Sequence, residues 1–165
     1  MNIKLCEMTR DRLHDFFKHL VYDPQTFIDE RCIQPYIYDE NQVNAYFDKH
    51  QKQGKLHFAI MLDDAVIGDI YLKNIDPLSK SCEIGIHMVS DHFKGKGYGT
   101  QAEQQMLTYA FSKLQMESVY AQTLAKNHRS RKALIKAGFT PIEINEHTCR
   151  FVCRKTQSKE VATSG

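Results

Sequence analysis

The segment that most constrains the fold is a run of three glycines between an apolar strand pattern and a helical pattern. Gly95, Gly97 and Gly99 alternate with two lysines and a tyrosine, and a helical pattern over residues 98–114 follows at once. Glycine has no Cβ atom, so such a loop can bend tightly and bring its backbone close to a ligand. The helix that follows begins with unpaired N–H groups and a partial positive charge. The segment therefore predicts a phosphate or pyrophosphate site.

Two familiar phosphate-binding loops do not match this segment. A Walker A loop requires GxxxxGK followed by Ser or Thr, and no such string occurs in the chain. The dinucleotide-binding fingerprint requires GxGxxG, whereas these glycines are spaced GxGxG. The structural alternative is a glycine-rich turn with solvated lysines. The apolar strand pattern of residues 84–89, directly before the loop, favours a ligand site over that alternative.

The apolar periodicity of the whole chain predicts the element order β-α-α-β-β-β-α-β-α-β-β. Strands are expected at residues 2–8, 55–62, 66–74, 81–89, 117–124, 139–144 and 148–153. Helices are expected at residues 10–21, 39–52, 98–114 and 127–137. Residues 23–38 have no clear period and are expected to form a loop with at most a short helix. The pattern alone indicates one α/β or α+β domain.

Composition narrows the class of protein. A chain of 165 residues with 42% hydrophobic residues can bury a core, and a net charge of +2 gives no sign of nucleic-acid binding. The absence of an apolar leader and of any run near ~18 apolar residues predicts a cytoplasmic protein without a membrane span. Five cysteines without a CxxC pair are typical of reduced thiols. Residues 1–155 are expected to form one domain, and residues 156–165 a disordered tail.

Three motifs together resemble the GCN5-related N-acetyltransferase (GNAT) superfamily. The acyl-CoA loop of that family has Arg or Gln, two residues, Gly, one residue, and Gly or Ala, and residues 94–99 read KGKGYG. Lysine at position 94 departs from the pattern, since it can neutralise a phosphate but lacks the planar fork of arginine.

The other two motifs lie on either side of that loop. Asn127 is followed after two residues by Ser130, and eight residues later by Gly138-Phe139, as in family members. The string EIGIHMV at residues 83–89 resembles the strand that pairs with the pantetheine arm. This combination is most similar to the RimJ/RimL-like group.

The resemblance implies the acyl-CoA N-acyltransferase fold over residues 2–155, a mixed sheet of six to seven strands flanked by about four helices. It implies acetyl-CoA as the cosubstrate and a primary amine as the acceptor. It also implies that backbone N–H groups around residues 87–89 stabilise the oxyanion. The residues expected to contact the coenzyme are His87, Met88, Val89, Lys94, Gly95, Lys96, Gly97, Tyr98, Gly99, Thr100, Asn127 and Ser130.

The reaction needs a base for the ammonium and a donor for the departing thiolate. Glu83 is the candidate base, because a partly buried carboxylate beside a cleft can have a raised pKa. Asp69 is a second carboxylate with a weaker claim, and the structural alternative for Glu83 is an edge-strand residue paired with a lysine. Many family members have a tyrosine acid four residues before the Gly of Gly-Phe, where this chain has Leu134. Ser130, or Asn127 holding a water, is therefore the candidate donor, although Asn127 also suits a helix N-cap.

The identity of the acceptor stays open at this point. Segment 23–40 carries five acidic residues against one arginine, which together with its aromatic residues suits a cationic amine. A protein N-terminus, a polyamine, an amino sugar and another small amine all fit, and the chain can be a monomer or a homodimer. Eight histidines without an HExxH motif predict no metal site.

Two functions of other classes remain as alternatives. The chain would act as a non-catalytic acyl-CoA sensor if its acid and base were idle. The basic segment 126–138 would be a recognition helix for nucleic acid if a partner helix preceded it, but a strand pattern does.

Overall fold

The computed structural model describes residues 2–155, which form seven strands, four α-helices and three 3-10 turns. The strands are β1 Lys4–Glu7, β2 Leu56–Leu62, β3 Ala65–Asp76, β4 Ser81–Met88, β5 Ser118–Leu124, β6 Thr140–Ile144 and β7 Thr148–Arg154. The helices are α1 Arg10–His19, α2 Glu40–Lys52, α3 Tyr98–Ser112 and α4 His128–Ala137, and the turns are Pro24–Thr26, Glu30–Cys32 and Asp91–Phe93. The predicted α/β fold and element order are confirmed. The predicted disordered tail at 156–165 lies outside the described residues.

Local sequence signals explain why the helices begin and end where they do. The side chain of Thr9 accepts a hydrogen bond from the N–H of Arg12 at the start of α1, and Asp39 accepts one from Gln42 at the start of α2. Helix α1 ends two residues earlier than predicted, because the chain turns extended and the N–H of Val21 donates to a carbonyl at the end of β4. That bond joins the segment after α1 to the middle of the sheet.

The seven strands form one sheet in the order β1-β2-β3-β4-β5-β7-β6. Neighbouring strands are antiparallel except β4 and β5, which are parallel. A parallel pair needs a crossover connection, and the glycine loop with α3 provides it. Within the described chain, β4 and β5 pair only from Ser81 to Ile84 and from Ser118 to Ala121, although both strands continue for several residues. The two strands therefore part and leave a wedge-shaped gap in the middle of the sheet.

The sheet separates two apolar clusters. The larger cluster packs α3 and α4 against one face and includes Ile70, Leu72 and Met106. The smaller cluster packs α1 and α2 against the other face and includes Leu13, Val43 and Ala59. Because side chains alternate along a strand, Asp69, Tyr71 and Lys73 of β3 point to the α1/α2 face, as do Glu83, Gly85 and His87 of β4.

Candidate active site

A cavity of about 410 Å³ occupies the gap between β4 and β5. Its wall includes Tyr71, Glu83 and His87 from the α1/α2 face and Glu103 and Leu134 from the α3/α4 face. A cavity lined from both faces must pass through the sheet. A second cavity, of about 640 Å³, adjoins it and runs along the glycine loop to the aromatic residues that follow α1. The gap is thus open to a ligand from each side.

The glycine loop forms an open cradle at the N-terminus of α3. Gly95 and Gly97 have φ angles of 73° and 84°, in the left-handed region that favours glycine. A Cβ atom at either position would meet no atom of the described chain within 4 Å, so space for a ligand lies above both. Gly99 differs, since a Cβ there would only touch Ile86 at 3.9 Å. The conformation and the helix N-terminus together fit a phosphate group.

The predicted coenzyme residues divide into two sets. Those that line the larger cavity are His87, Met88, Lys94, Gly95, Gly97, Gly99, Thr100, Asn127 and Ser130. The other three are placed differently: the side chain of Tyr98 belongs to the larger apolar cluster, Val89 is buried, and Lys96 is exposed beside the loop. Tyr98 can therefore offer a ligand only its backbone.

Lys94 is engaged with protein carboxylates. Its Nζ atom donates to Asp23 and lies 3.2 Å from a carboxylate oxygen of Asp91, and its side chain is 11% exposed. Partial burial raises the pKa of Asp23, but the hydrogen bonds from Lys94 and from the N–H of Gln25, together with the charges of Lys94 and Arg129, outweigh that effect and lower the pKa overall. Lys94 would have to leave Asp23 before it could neutralise a phosphate. The sequence motif gives no indication of this ion pair.

Backbone donors at the end of β4 point in alternate directions. The N–H of Val89 donates to the carbonyl of Ile67 at 2.9 Å, so Val89 is not available as an oxyanion donor, contrary to the expectation for 87–89. Because successive N–H groups alternate in a strand, the N–H of His87 also faces β3 and that of Met88 faces the gap. Among the N–H groups expected to act as donors, that of Met88 is therefore the one directed towards the gap.

Glu83 lies at the narrow end of the gap, where β4 still pairs with β5, and its side chain is partly exposed. Its carboxylate accepts a hydrogen bond from Asn74 at 3.0 Å and lies 3.9 Å from the Nζ atom of Lys73. This is the paired edge-strand arrangement that the sequence offers as the alternative to a base. The neighbouring Gly85 has a clear packing role, since a Cβ there would collide with the ring of Tyr71 across the strand pair.

A buried carboxylate with two histidines lies on the same face and was not assembled from the sequence. Asp69 is 2% exposed, and its two oxygens accept hydrogen bonds from Nε2 of His57 at 2.7 Å and from Nδ1 of His87 at 3.1 Å. Burial raises the pKa of Asp69, but the hydrogen bonds and the electrostatic interactions with the two histidines together outweigh it and hold the pKa well below its ordinary value. Asp69 is therefore ionised and can only accept.

The state of His87 follows from that of Asp69. An ionised carboxylate requires a hydrogen on Nδ1, so the neutral imidazole keeps its lone pair on Nε2. Burial lowers the pKa of His87, but the hydrogen bond to Asp69 and its charge outweigh that effect, so the pKa is raised. The side chain is 51% exposed and lines both cavities. His87 thus has the geometry of a general base, a role for which the sequence favours Glu83.

Asn127 and Ser130 border the gap at the start of α4. The side chain of Asn127 accepts a hydrogen bond from the N–H of Ser130 at 3.1 Å, which is the predicted N-cap. Both residues line both cavities, and Leu134 lies one turn further along the same wall. Gly138, with a φ of 114°, ends the helix in the left-handed conformation expected of it.

Four of the five carboxylates of the acidic segment 23–40 have partners in the described structure. Asp23 binds Lys94, Asp29 binds Arg31 at 2.9 Å, and Glu30 lies 3.2 Å from the Nζ atom of Lys126. The carboxylate of Asp39 caps α2. Phe27 and Tyr36 of the segment pack against two rings that precede it, and the ring centroids lie 5.4–5.6 Å apart in the pairs Tyr22–Phe27, Tyr22–Tyr36 and Phe17–Tyr36.

Two further observations concern other classes of site. Among residues 2–155, no group of three or more His, Cys, Asp or Glu side chains is arranged to hold a metal ion. No helix in that range is long and apolar enough to cross a membrane.

Comparison with known proteins identifies a matching family and several relatives in sequence. Residues 2–140 match the model of the acetyltransferase (GNAT) domain. The chain is 31% identical over 106 residues to the acetyltransferase PseH of Campylobacter jejuni, covering 64% of each chain. It is 32% identical over 80 residues to the putative ribosomal N-acetyltransferase YdaF of Bacillus subtilis, covering 48% of this chain and 43% of that one. These matches span about two-fifths to two-thirds of the relatives' length.

Solved structures share the fold at lower identity. A putative acetyltransferase from T. thermophilus superposes with a TM-score of 0.78 at 21% identity, covering 99% of this chain and 92% of that one. Mutant forms of the spermidine/spermine N-acetyltransferase SpeG from Vibrio cholerae give a TM-score of 0.72 at 20% identity, covering 99% and 100%.

Proposed function

The chain belongs to the GNAT acetyltransferase family, and from that premise we propose that it transfers the acetyl group of acetyl-CoA to a primary amine. The observation that carries the proposal is the gap between β4 and β5, which is lined from both faces of the sheet. A coenzyme bound on the α3/α4 side and an amine arriving from the α1/α2 side would meet there. Holding both reactants in one narrow passage supplies much of the rate in reactions of this kind.

Backbone groups would provide most of the contacts to the coenzyme. The open cradle at Gly95 and Gly97 would hold the phosphates through N–H groups at the start of α3, with Lys96 nearby. Bound there, acetyl-CoA would supply the thioester carbonyl that the amine attacks. The N–H of Met88, which faces the gap, is the donor we assign to the negative charge that develops on that carbonyl oxygen.

His87 is the residue we assign as general base. Asp69 fixes the hydrogen on Nδ1 and orients the ring, which leaves Nε2 to take a proton from the attacking amine. Because the pKa of His87 is raised above its ordinary value of 6.5, the neutral imidazole that can act as a base forms at a higher pH than in an unperturbed histidine. Glu83 remains the second candidate, since it lines the same gap.

The acceptor that this pocket favours is an amine on an apolar or aromatic body. The segment that follows α1 offers aromatic rings, while four of its five carboxylates are committed to a lysine, an arginine or a helix cap. A polyamine such as spermidine or spermine, after which the SpeG enzyme is named, would find few uncommitted charges here. Acetyl-CoA consumption across a panel of aryl-alkyl amines, polyamines, amino sugars and peptide N-termini tests this, and a preference for polyamines would contradict it.

Gly97→Asp tests the coenzyme site directly. We expect the substitution to abolish CoA binding, because it places a Cβ atom and a negative charge in the cradle. Isothermal titration calorimetry with CoA measures the effect. Gly54→Asp is the matched control, since Gly54 also has positive φ (65°) and open space but lies in the turn after α2. Equal loss in both variants would trace the effect to backbone strain.

The outcome also separates an enzyme from a sensor. If CoA binds to the parent but no amine in the panel is acetylated, the protein is an acyl-CoA-binding sensor. If CoA does not bind at all, neither function holds.

A further inference from the structure

One buried titratable group has no part in the chemistry assigned so far. Glu103 lies on α3, is 1% exposed, and shares its helix face with Met106 and Leu107 of the larger apolar cluster. No described residue hydrogen-bonds to its Oε2 atom, and none forms an ion pair with it. An isolated charge in such a place is costly, so the neutral acid is the stable form.

The position of Glu103 relates it to the gap. Its side chain lines both cavities, together with Asn127 and Ser130 of the wall formed by the start of α4. Leu134 lines the smaller cavity with it, and α3 and α4 are in contact. Leu134 occupies the position at which the family resemblance implies a tyrosine acid. Glu103 therefore places a carboxylic acid at the cavity in which the tyrosine acid implied by the resemblance is replaced by Leu134.

We propose that protonated Glu103 donates the proton that the CoA thiolate takes up as it leaves, which rests on the proposed acetyl transfer. As the amine nitrogen bonds to the carbonyl carbon, the carbon–sulfur bond breaks and its electron pair stays on sulfur. The O–H proton of Glu103 passes to that sulfur and leaves a carboxylate. Solvent reprotonates Glu103, and His87 releases to solvent the proton it took from the amine. The products are an N-substituted acetamide and CoA thiol.

The protonation state of Glu103 supports the assignment. Burial raises its pKa to about 8, so the acid form predominates at neutral pH. The titratable and charged groups that line the cavities from the sheet and from α4 are Asp69, Tyr71 and Lys73 on β3, Glu83 and His87 on β4, Tyr120 on β5, Arg150 on β7, and Arg129, Lys132 and Lys136 on α4. A carboxylic acid with a pKa near that of a thiol is a better proton donor to a thiolate than the hydroxyl of Ser130.

Glu103→Gln is the decisive variant, because it keeps the shape and hydrogen-bonding capacity of the side chain but has no acidic proton. We expect kcat to fall by about tenfold to 10²-fold, the lower range for acid catalysis with a tolerable leaving group, with KM for acetyl-CoA little changed. The parent should lose kcat above about pH 8 as Glu103 ionises, and the variant should lack that alkaline limb. Ser130→Ala, measured alongside, reports how much of the donation runs through the serine.

A readout independent of turnover checks the same group. Infrared difference spectra of the free parent between pH 6 and pH 9.5 should contain a protonated-carboxyl band that disappears near pH 8 and is absent from Glu103→Gln. Thermal melts of both proteins confirm that the variant is folded.

The possible outcomes separate the two levels of the proposal. An active parent matched by Glu103→Gln across the pH range would overturn the role of Glu103 alone. Absence of the infrared band would also overturn it, whatever the kinetics. A parent that acetylates no amine would overturn the proposed function and leave Glu103 without a thiolate to protonate.

Discussion

Two buried carboxyl groups lie on opposite faces of the same sheet and differ in protonation. Asp69, beneath α1 and α2, is 2% exposed and receives hydrogen bonds from His57 and His87, so it stays ionised. Glu103, on α3, is 1% exposed and has an oxygen that no described residue contacts through a hydrogen bond, so it stays protonated at neutral pH. Burial is almost equal at the two positions. The difference shows that the partners of a buried carboxyl determine its charge.

The difference in protonation also matches the two proton transfers of the proposed reaction. An active site that must accept a proton on one side and donate one on the other needs groups whose pKa values are pushed apart. The ionised Asp69 raises the pKa of His87 and orients it on the face where the amine would arrive. The neutral Glu103 lies on the face where the coenzyme would bind.

The largest expected effect is that of His87→Gln on turnover. Removal of the base should lower kcat/KM by about 10²-fold or more at neutral pH, with a smaller loss at alkaline pH, where the amine loses its proton unaided. Steady-state kinetics from pH 6 to 9.5 measures it. Glu83→Gln is the matched control on the same strand face and should cost less than about threefold. If Glu83→Gln lost more activity than His87→Gln, Glu83 would be the base, and Asp69 would have no role in the reaction through His87.

Asp69→Asn should have an intermediate effect. We expect kcat/KM to fall about tenfold and its acid limb to move to lower pH, because Asp69 no longer raises the pKa of His87. The free energy of unfolding should also fall, by about 1.5–3 kcal/mol, through loss of charge-assisted hydrogen bonds. Asp69 contributes that stability above its unfolded pKa near 3.8, and the contribution is lost as pH falls towards its lower folded pKa.

The control for Asp69→Asn is a variant of the other histidine. His57→Gln removes one partner of Asp69 but keeps the contact between Asp69 and His87. It should lower stability without moving the acid limb. An acid limb that stays in place in Asp69→Asn would separate Asp69 from the titration of His87.

The smallest effect concerns the pH dependence of stability at Glu103. Its folded pKa is about 8 against an ordinary 4.5, so between those values the folded protein holds a proton that the unfolded chain has released. Stability therefore falls as pH rises through this window, by at most about 1.4 kcal/mol per pH unit from this group. From this group we expect stability at pH 8 to be lower than at pH 5 by at least about 1 kcal/mol.

Urea unfolding at pH 5 and pH 8 measures this slope. Glu103→Gln should lack the decline that the parent shows, whereas the exposed Glu117→Gln should keep it. Equal slopes in the parent and in Glu103→Gln would mean that Glu103 is ionised in the folded protein, and the contrast with Asp69 would fail.

Features that depend on neighbouring residues are predictable from the sequence. Helix caps such as Thr9 and Asp39, the helix stop at Gly138 and the period-2 pattern of the strands all act within a few residues, and the elements lie within two residues of their predicted bounds. The glycine loop and the N-cap at Asn127 belong to the same local class. The pattern alone predicts only one α/β or α+β domain, whereas the family resemblance predicts the specific fold.

Features that depend on distant partners are not predictable in this way. The contacts of Asp69 require the register of two strand pairs, which bring it opposite Ala59 on β2 and His87 on β4. The pair between Lys94 and Asp23 joins residues 71 positions apart. Glu103 is a different case, because helical spacing places it on the apolar stripe of α3, where a carboxyl group is itself a signal.

The separation of β4 from β5 has a consequence for the thermodynamics of the fold. Beyond Ile84 and Ala121 the two strands no longer pair with each other, so the facing backbone edges lack the partners that a continuous sheet would give them. A molecule that hydrogen-bonds to one of these edges acts as an additional strand. Its free energy of binding then adds to the free energy of unfolding.

By mass action, that added stability grows with the concentration of the bound molecule. A ligand at 100 times its Kd stabilises a protein by about 2.7 kcal/mol if it does not bind the unfolded chain. The midpoint of thermal unfolding should therefore rise steadily with CoA concentration. Stability measured without coenzyme would then underestimate the stability of the protein wherever the coenzyme is abundant.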